Sequence, residues 1–169
     1  MYCLTLWQPW ASLVAEGKKR FETRSWAHGL PAGTLLAIHA AKKLAYDALT
    51  EADIMPDDET AYAMMYALGM SAKELAGELP RGAVLAIVRT GFQVETDSVR
   101  GPAAFRGALI SETEELFGDY SPGRWAWELE VVMRLTEPIP AKGGQRIWNW
   151  DAPEWLVRTL AAGAEGGDT

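Results

Sequence analysis

Apolar and polar positions alternate from the start of the chain. YCLTLW at residues 2–7 has the period-2 pattern of a short strand. PWASLVAEG at 9–17 then changes to a helical pattern. Pro9 suits the first turn, where its missing N–H costs nothing, and Gly17 suits the stop. KRFETRSW at 19–26 alternates again, with Phe21 on one face and Arg20, Glu22 and Arg24 on the other. HGLPAG at 28–33 is a turn cluster, and TLLAIHAAK at 34–42 is a near-continuous apolar run, the mark of a buried strand.

The stretch from 41 to 79 is rich in Ala, Met and Glu and reads as helical, with a helical insert over about 44–79 and a capping box at Ser71–Glu74. GAVLAIVRTGFQV at 82–94 is the next strand, and 95–119 reads as a loop. GRWAWELEVVMRL at 123–135 is a long strand that places Trp125, Trp127, Leu129 and Val131 on one face. PIPAKGGQRIWNW at 138–150 reads as a turn leading into a short strand, and APEWLVRTLA at 152–161 as a helix. The expected organisation is a single domain over 1–162 and a disordered tail over 163–169. Strands at both ends with helices between them argue for a mixed, curved sheet, either an α+β fold or a small barrel.

Composition narrows the function classes. The 169 residues can bury a real core, and 49% apolar with 23% charged is ordinary for a globular chain. No apolar run is long enough to span a bilayer, and no basic segment precedes an apolar leader, so a cytoplasmic location and no membrane partner are expected. The one cysteine, Cys3, rules out an internal disulfide and a multi-cysteine metal site, and reads as a small buried hydrophobe. No metal or cofactor is expected, and a monomer is favoured.

The net charge of −7 argues against broad duplex binding, which needs many Lys and Arg on phosphate. The charge is uneven, however. Lys18, Lys19, Arg20, Arg24, Lys42 and Lys43 are opposed only by Glu16 and Glu22. The acidic runs at Glu51, Asp53, Asp57, Asp58 and Glu59, and at Glu112, Glu114, Glu115 and Asp119, read as solvated faces.

Lys19, Glu22 and Arg24 straddle a helix end and a strand. A carboxylate between two cations can hold both in place and accept from a ligand amine, while the cations hold phosphate or polarise a carbonyl. The plainer reading is a surface ion-pair ladder. Eight tryptophans accompany the charges. An aromatic face beside cations is what a splayed base needs, although most tryptophans serve packing, and Trp148, Trp150 and Trp155 look most core-like. His28 and His39 are too few for a zinc site. His39 stands near Lys42 and is a candidate for the same pocket or a hydrogen-bonded core residue. No nucleophile elbow and no phosphate-cradling glycine loop is present.

LTLWQPWASLVAEGKKRFETRSW followed by GTLLAIHAAKK resembles the ASCH domain, named for its homology to activating signal cointegrator proteins. The family pattern Gly-x-Lys-x-x-Glu-x-Arg is met by Gly17, Lys19, Glu22 and Arg24, with QPWASL before it and RSW after it. The resemblance implies an α+β fold: a PUA-like β-barrel with flanking helices and the helical insert. It implies a cleft beside the first helix that binds RNA or single-stranded nucleic acid, with one modified nucleoside as a candidate ligand. The ligand-binding residues expected are Trp7, Gln8, Trp10, Lys19, Glu22, Arg24, His39, Lys42 and Trp125.

Some small relatives resemble hydrolases that remove an acyl group from a modified cytidine, using a Lys and a Thr three residues later; other relatives have been proposed to cleave RNA. Here that third position is Glu22, and Thr23 falls on the opposite strand face. If the chain is an enzyme, Lys19 and Glu22 are its expected catalytic pair, as an amidohydrolase or a ribonuclease. A protein–protein adaptor of the transcription-coactivator type is the remaining alternative.

Overall fold

The computed structural model describes residues 1–43, 58–99 and 110–165. The fold is α+β, as the resemblance implies, with a six-stranded mixed sheet curled into a half-barrel. In chain order the elements are β1 (Tyr2–Leu6), α1 (Trp10–Ala15), β2 (Phe21–Arg24), β3 (Leu35–Ala40), α2 (Asp58–Leu68) and α3 (Ala72–Gly77). Then come β4 (Ala83–Glu95), α4 (Thr96–Val99), α5 (Glu112–Leu116), β5 (Trp125–Pro140), β6 (Ile147–Asn149) and α6 (Glu154–Glu165). The strand order is β2-β5-β4-β3-β1-β6. β1 and β3 run parallel and the other neighbours antiparallel.

Period-2 alternation divides the core between two faces. Leu4, Leu6, Leu36, Ile38, Trp127 and Leu129 pack against Ala11, Val14 and Ala15 of α1. Cys3, Ala37, Val84 and Ile87 pack instead against Leu156 and Leu160 of α6. Burial raises the Cys3 thiol to about 12, so it behaves as the small hydrophobe expected. Trp150 belongs to this core, but Trp155 is 56% exposed, contrary to the sequence reading.

Three further expectations are corrected. β5 runs through Pro138 and Pro140 rather than ending near 135. β2 covers β5 only from Trp125 to Glu128, so beyond that point one flank has no strand partner among the described residues and tolerates a missing N–H. The supposed loop at 95–119 contains α4 and α5, with residues 100–109 outside the described set. The expected insert is helical over α2 and α3, and its earlier part, residues 44–57, also lies outside that set. The capping box at Ser71–Glu74 forms as read. α6 continues to Glu165, and the tail expectation then falls on residues 166–169, which lie outside the described set.

Candidate functional site

α1 ends where the sequence places its stop. Gly17 takes the left-handed conformation at φ 65°, and the N–H groups of Lys18 and Lys19 return to the Leu13 carbonyl at 2.8 and 3.0 Å. This tight exit turns the Lys19 side chain inward. Its ammonium donates to the Phe21 carbonyl at 2.5 Å and stands 3.7 Å from Glu22 Oε2. Glu22 Oε1 lies 2.9 Å from Arg24 Nε, close enough for an ion pair but not at a hydrogen-bonding angle. The carboxylate therefore sits between the two cations, and the three side chains converge rather than fan outward.

The Lys19 side chain is only 1% exposed. Burial pushes its ammonium below the ordinary value of 10.5, against the raising pull of Glu22 and Glu114. Gly118 presses against it from the far side. A Cβ there would lie 2.8 Å from Tyr120 Cε2, 3.2 Å from Thr23 Cγ2 and 3.3 Å from Lys19 Nζ. Only a residue without a side chain lets this backbone close over the ammonium.

Glu114 anchors the group from below. Its carboxylate accepts from the Arg20 N–H at 3.1 and 2.9 Å and from the Phe21 N–H at 3.0 Å. The acidic run at 112–115 is thus not a uniform solvated face, because Glu114 is buried. Ser111 caps α5 by accepting from Glu114 N, as Ser71 caps α3. In α3 the glutamate turns back to its own cap; in α5 it is spent on β2 instead. Burial, Glu114 and Glu22 together raise the Tyr120 hydroxyl.

These groups border a cleft of about 700 Å³. Trp7 and Trp10 supply aromatic wall, Lys19, Glu22, Thr23 and Arg24 one side, and Phe117 to Asp119 and Arg124 the other. Thr23 points away from Glu22 along β2, yet it borders the same cleft because β2 is the sheet edge and the 117–119 segment folds over it. Its hydroxyl accepts from Asp119 N at 3.0 Å. Arg124 pairs with Asp119 at 3.2 Å. The sequence reading missed Arg124 and Glu114.

Four expected site residues stand elsewhere. Gln8 is buried, with its amide donating to the Pro80 carbonyl at 2.6 Å and accepting from Ser12 N at 3.1 Å. It fixes the start of α1 and has no free edge. His39 belongs with Thr5 and Trp148, where its Nε2 meets the Ala141 carbonyl at 3.1 Å, and burial lowers its basicity. Lys42 is exposed beyond β3, outside the cleft lining. Trp125 stands beside Arg24 in register but packs on the sheet core. Among the described residues no group of three His, Cys, Asp or Glu could hold a metal ion. No helix among them is long and apolar enough to cross a membrane.

The family model of the ASCH domain matches residues 4–139, which span both sides of this cleft. The chain belongs to the ASCH domain family. It is similar in structure to the ASCH protein of Zymomonas mobilis, with a TM-score of 0.49 and 14% identity, covering 95% of this chain and 93% of that one. A tyrosine-to-phenylalanine mutant of that protein matches at TM-score 0.48 and 15% identity, with coverages of 95% and 96%. A serine-to-alanine mutant matches at 0.48 and 16%, with 95% and 94%.

Proposed function

We propose that this ASCH domain binds RNA or another single-stranded nucleic acid, taking one nucleoside, plain or modified, into the Lys19–Glu22–Arg24 cleft. The observation that carries this reading is the convergence of a cation–carboxylate–cation group, its Lys19 and Glu22 buried, with Arg124 in a cleft walled by Trp7 and Trp10. An indole face supports stacking for any base. The half-buried guanidinium groups of Arg24 and Arg124 suit phosphate or a base edge. Lys19, sunk in the floor, presents one fixed donor. A pocket of this kind relies on local contacts, which is compatible with an acidic body.

Binding of labelled single-stranded RNAs across a salt series tests the reading. Arg24→Ala should weaken binding about tenfold and reduce the slope of log K against log salt by about 0.7 if it holds one phosphate. Wild type and variant binding every oligonucleotide equally would refute it.

One observation favours a second reading, a hydrolase acting on an N-acylated cytidine or on RNA. Thr23 lines the same cleft as Lys19, and its methyl group and the Lys19 ammonium both face Gly118. In that reading Lys19 steadies charge on the carbonyl or phosphoryl oxygen, and Glu22 activates a water. Incubation with N-acylated cytidines and short RNAs, with and without added metals, decides it; no product from wild type removes the reading.

A further inference from the structure

Beside the cleft, β2 and β6 lead to a second aromatic–cation pair. Trp26 follows Arg24 by two residues and packs edge-on against Trp127, at 4.7 Å between ring centroids. Trp127 is the register partner of Glu22. Arg146 directly precedes β6, whose Ile147 pairs with Leu4, so Arg146 reaches the same region from the Thr5 side of the cleft. Its guanidinium carbon lies 5.4 Å from the centre of the Trp26 ring. Two separate segments, one running on from the cleft residue Arg24 and one paired with the strand that ends at the cleft residues Thr5 and Leu6, thus place a flat cation on a half-buried indole just outside the cleft lining.

Arg146 differs from the other arginines in what surrounds it. Arg20, Arg24, Arg89, Arg124, Arg134 and Arg158 each have a carboxylate within ion-pair distance. Among the described residues, Arg81 and Arg146 have none, and of these two only Arg146 rests on an aromatic ring. A guanidinium held over an aromatic face by its cationic carbon keeps its N–H donors free for an anion. Arg146 also holds a left-handed backbone, φ 54°, a conformation that costs a branched or long side chain energy and that glycine would take freely.

We infer that Arg146, held on Trp26, is a second subsite that takes the phosphodiester of a nucleotide next to the one in the cleft. It rests on the nucleic-acid reading above and extends it: the ligand is a strand that crosses the cleft margin, not a lone nucleoside. The cleft supplies the base contact, and Arg146 supplies a backbone contact that carries no sequence information.

The test compares short single-stranded oligouridylate and oligocytidylate with uridine and cytidine monophosphates, by anisotropy or calorimetry over a salt series. Arg146→Ala should weaken oligonucleotide binding about tenfold and reduce the salt slope by about 0.7, with binding of the monophosphates unchanged. Arg146→Gly, which suits the left-handed backbone, should show the same loss while folding at least as well as wild type. Arg146→Lys should keep most of the slope but not the full affinity. Wild-type slope and affinity in Arg146→Ala would overturn the subsite while leaving the cleft reading intact. No binding of any strand by wild type would overturn both. Polyglutamate that binds wild type but not Arg146→Ala, with RNA unaffected, would make this a site for acidic peptide and overturn the inference.

Discussion

Glu114 and Arg20 are joined across 94 residues of chain: both carboxylate oxygens of Glu114 meet the Arg20 N–H, and Oε1 also takes the N–H of Phe21. One buried carboxylate thus fixes the backbone between Lys19 and Glu22. Glu114→Ala leaves two N–H groups without acceptors and should cost about 3 kcal/mol in urea denaturation. Glu114→Gln keeps one acceptor and should cost less, about 1–2 kcal/mol. Both should weaken RNA binding more than an exposed control, Glu112→Gln.

Lys19 should give a stability effect whose sign reverses the usual one for a paired lysine. Burial lowers its folded value below 10.5, so between the two values the unfolded chain holds more protons. The stability of wild type relative to Lys19→Met should therefore rise with pH across that window, up to about 10.5. Urea midpoints of the two proteins from neutral to alkaline pH measure it. A constant difference would show that the ammonium is not depressed.

His28 and His39 both have their basicity lowered by burial. Each stays neutral in the fold and takes up a proton on unfolding below the ordinary value of 6.5. Stability should be fully present above 6.5 and fall as pH drops from there toward the lowered folded values. Replacing His39 with Asn should flatten part of this acid limb in thermal melts at stepped pH.

Gly118→Ala forces a methyl group into the space between Tyr120, Thr23 and Lys19. Overpacking of this kind should cost about 1–3 kcal/mol. The shifted ammonium should also weaken ligand binding beyond what the stability loss explains. Alanine at the exposed Gly29 lies clear of the cleft and serves as the strain-only control.

Much of the fold was readable because alternation and turn chemistry agree over short ranges. The exit of α1 at Gly17, the apolar face from Trp125 to Val131 and the capping box at Ser71 all follow local rules. The site was half readable. Lys19, Glu22 and Arg24 lie within one short segment, so their spacing shows in the chain. Glu114 and Arg124 join them only through tertiary packing, and an acidic run looks solvated until its partners are known. The Ser-x-x-Glu at Ser111–Glu114 was the available signal, identical in form to the one read at Ser71. His39 and Lys42 misled because nearness along β3 does not bring a side chain into the cleft: His39 turns toward Trp148, and Lys42 lies past the strand end.

The long reach from Glu114 to the start of β2 also sets an order of assembly. A chain still emerging from the ribosome displays the Lys19 segment early, but the carboxylate that shapes it arrives far later. Until then the nascent segment is a loose basic stretch, and the Lys19–Glu22–Arg24 group takes its shape only when the far half of the molecule has docked.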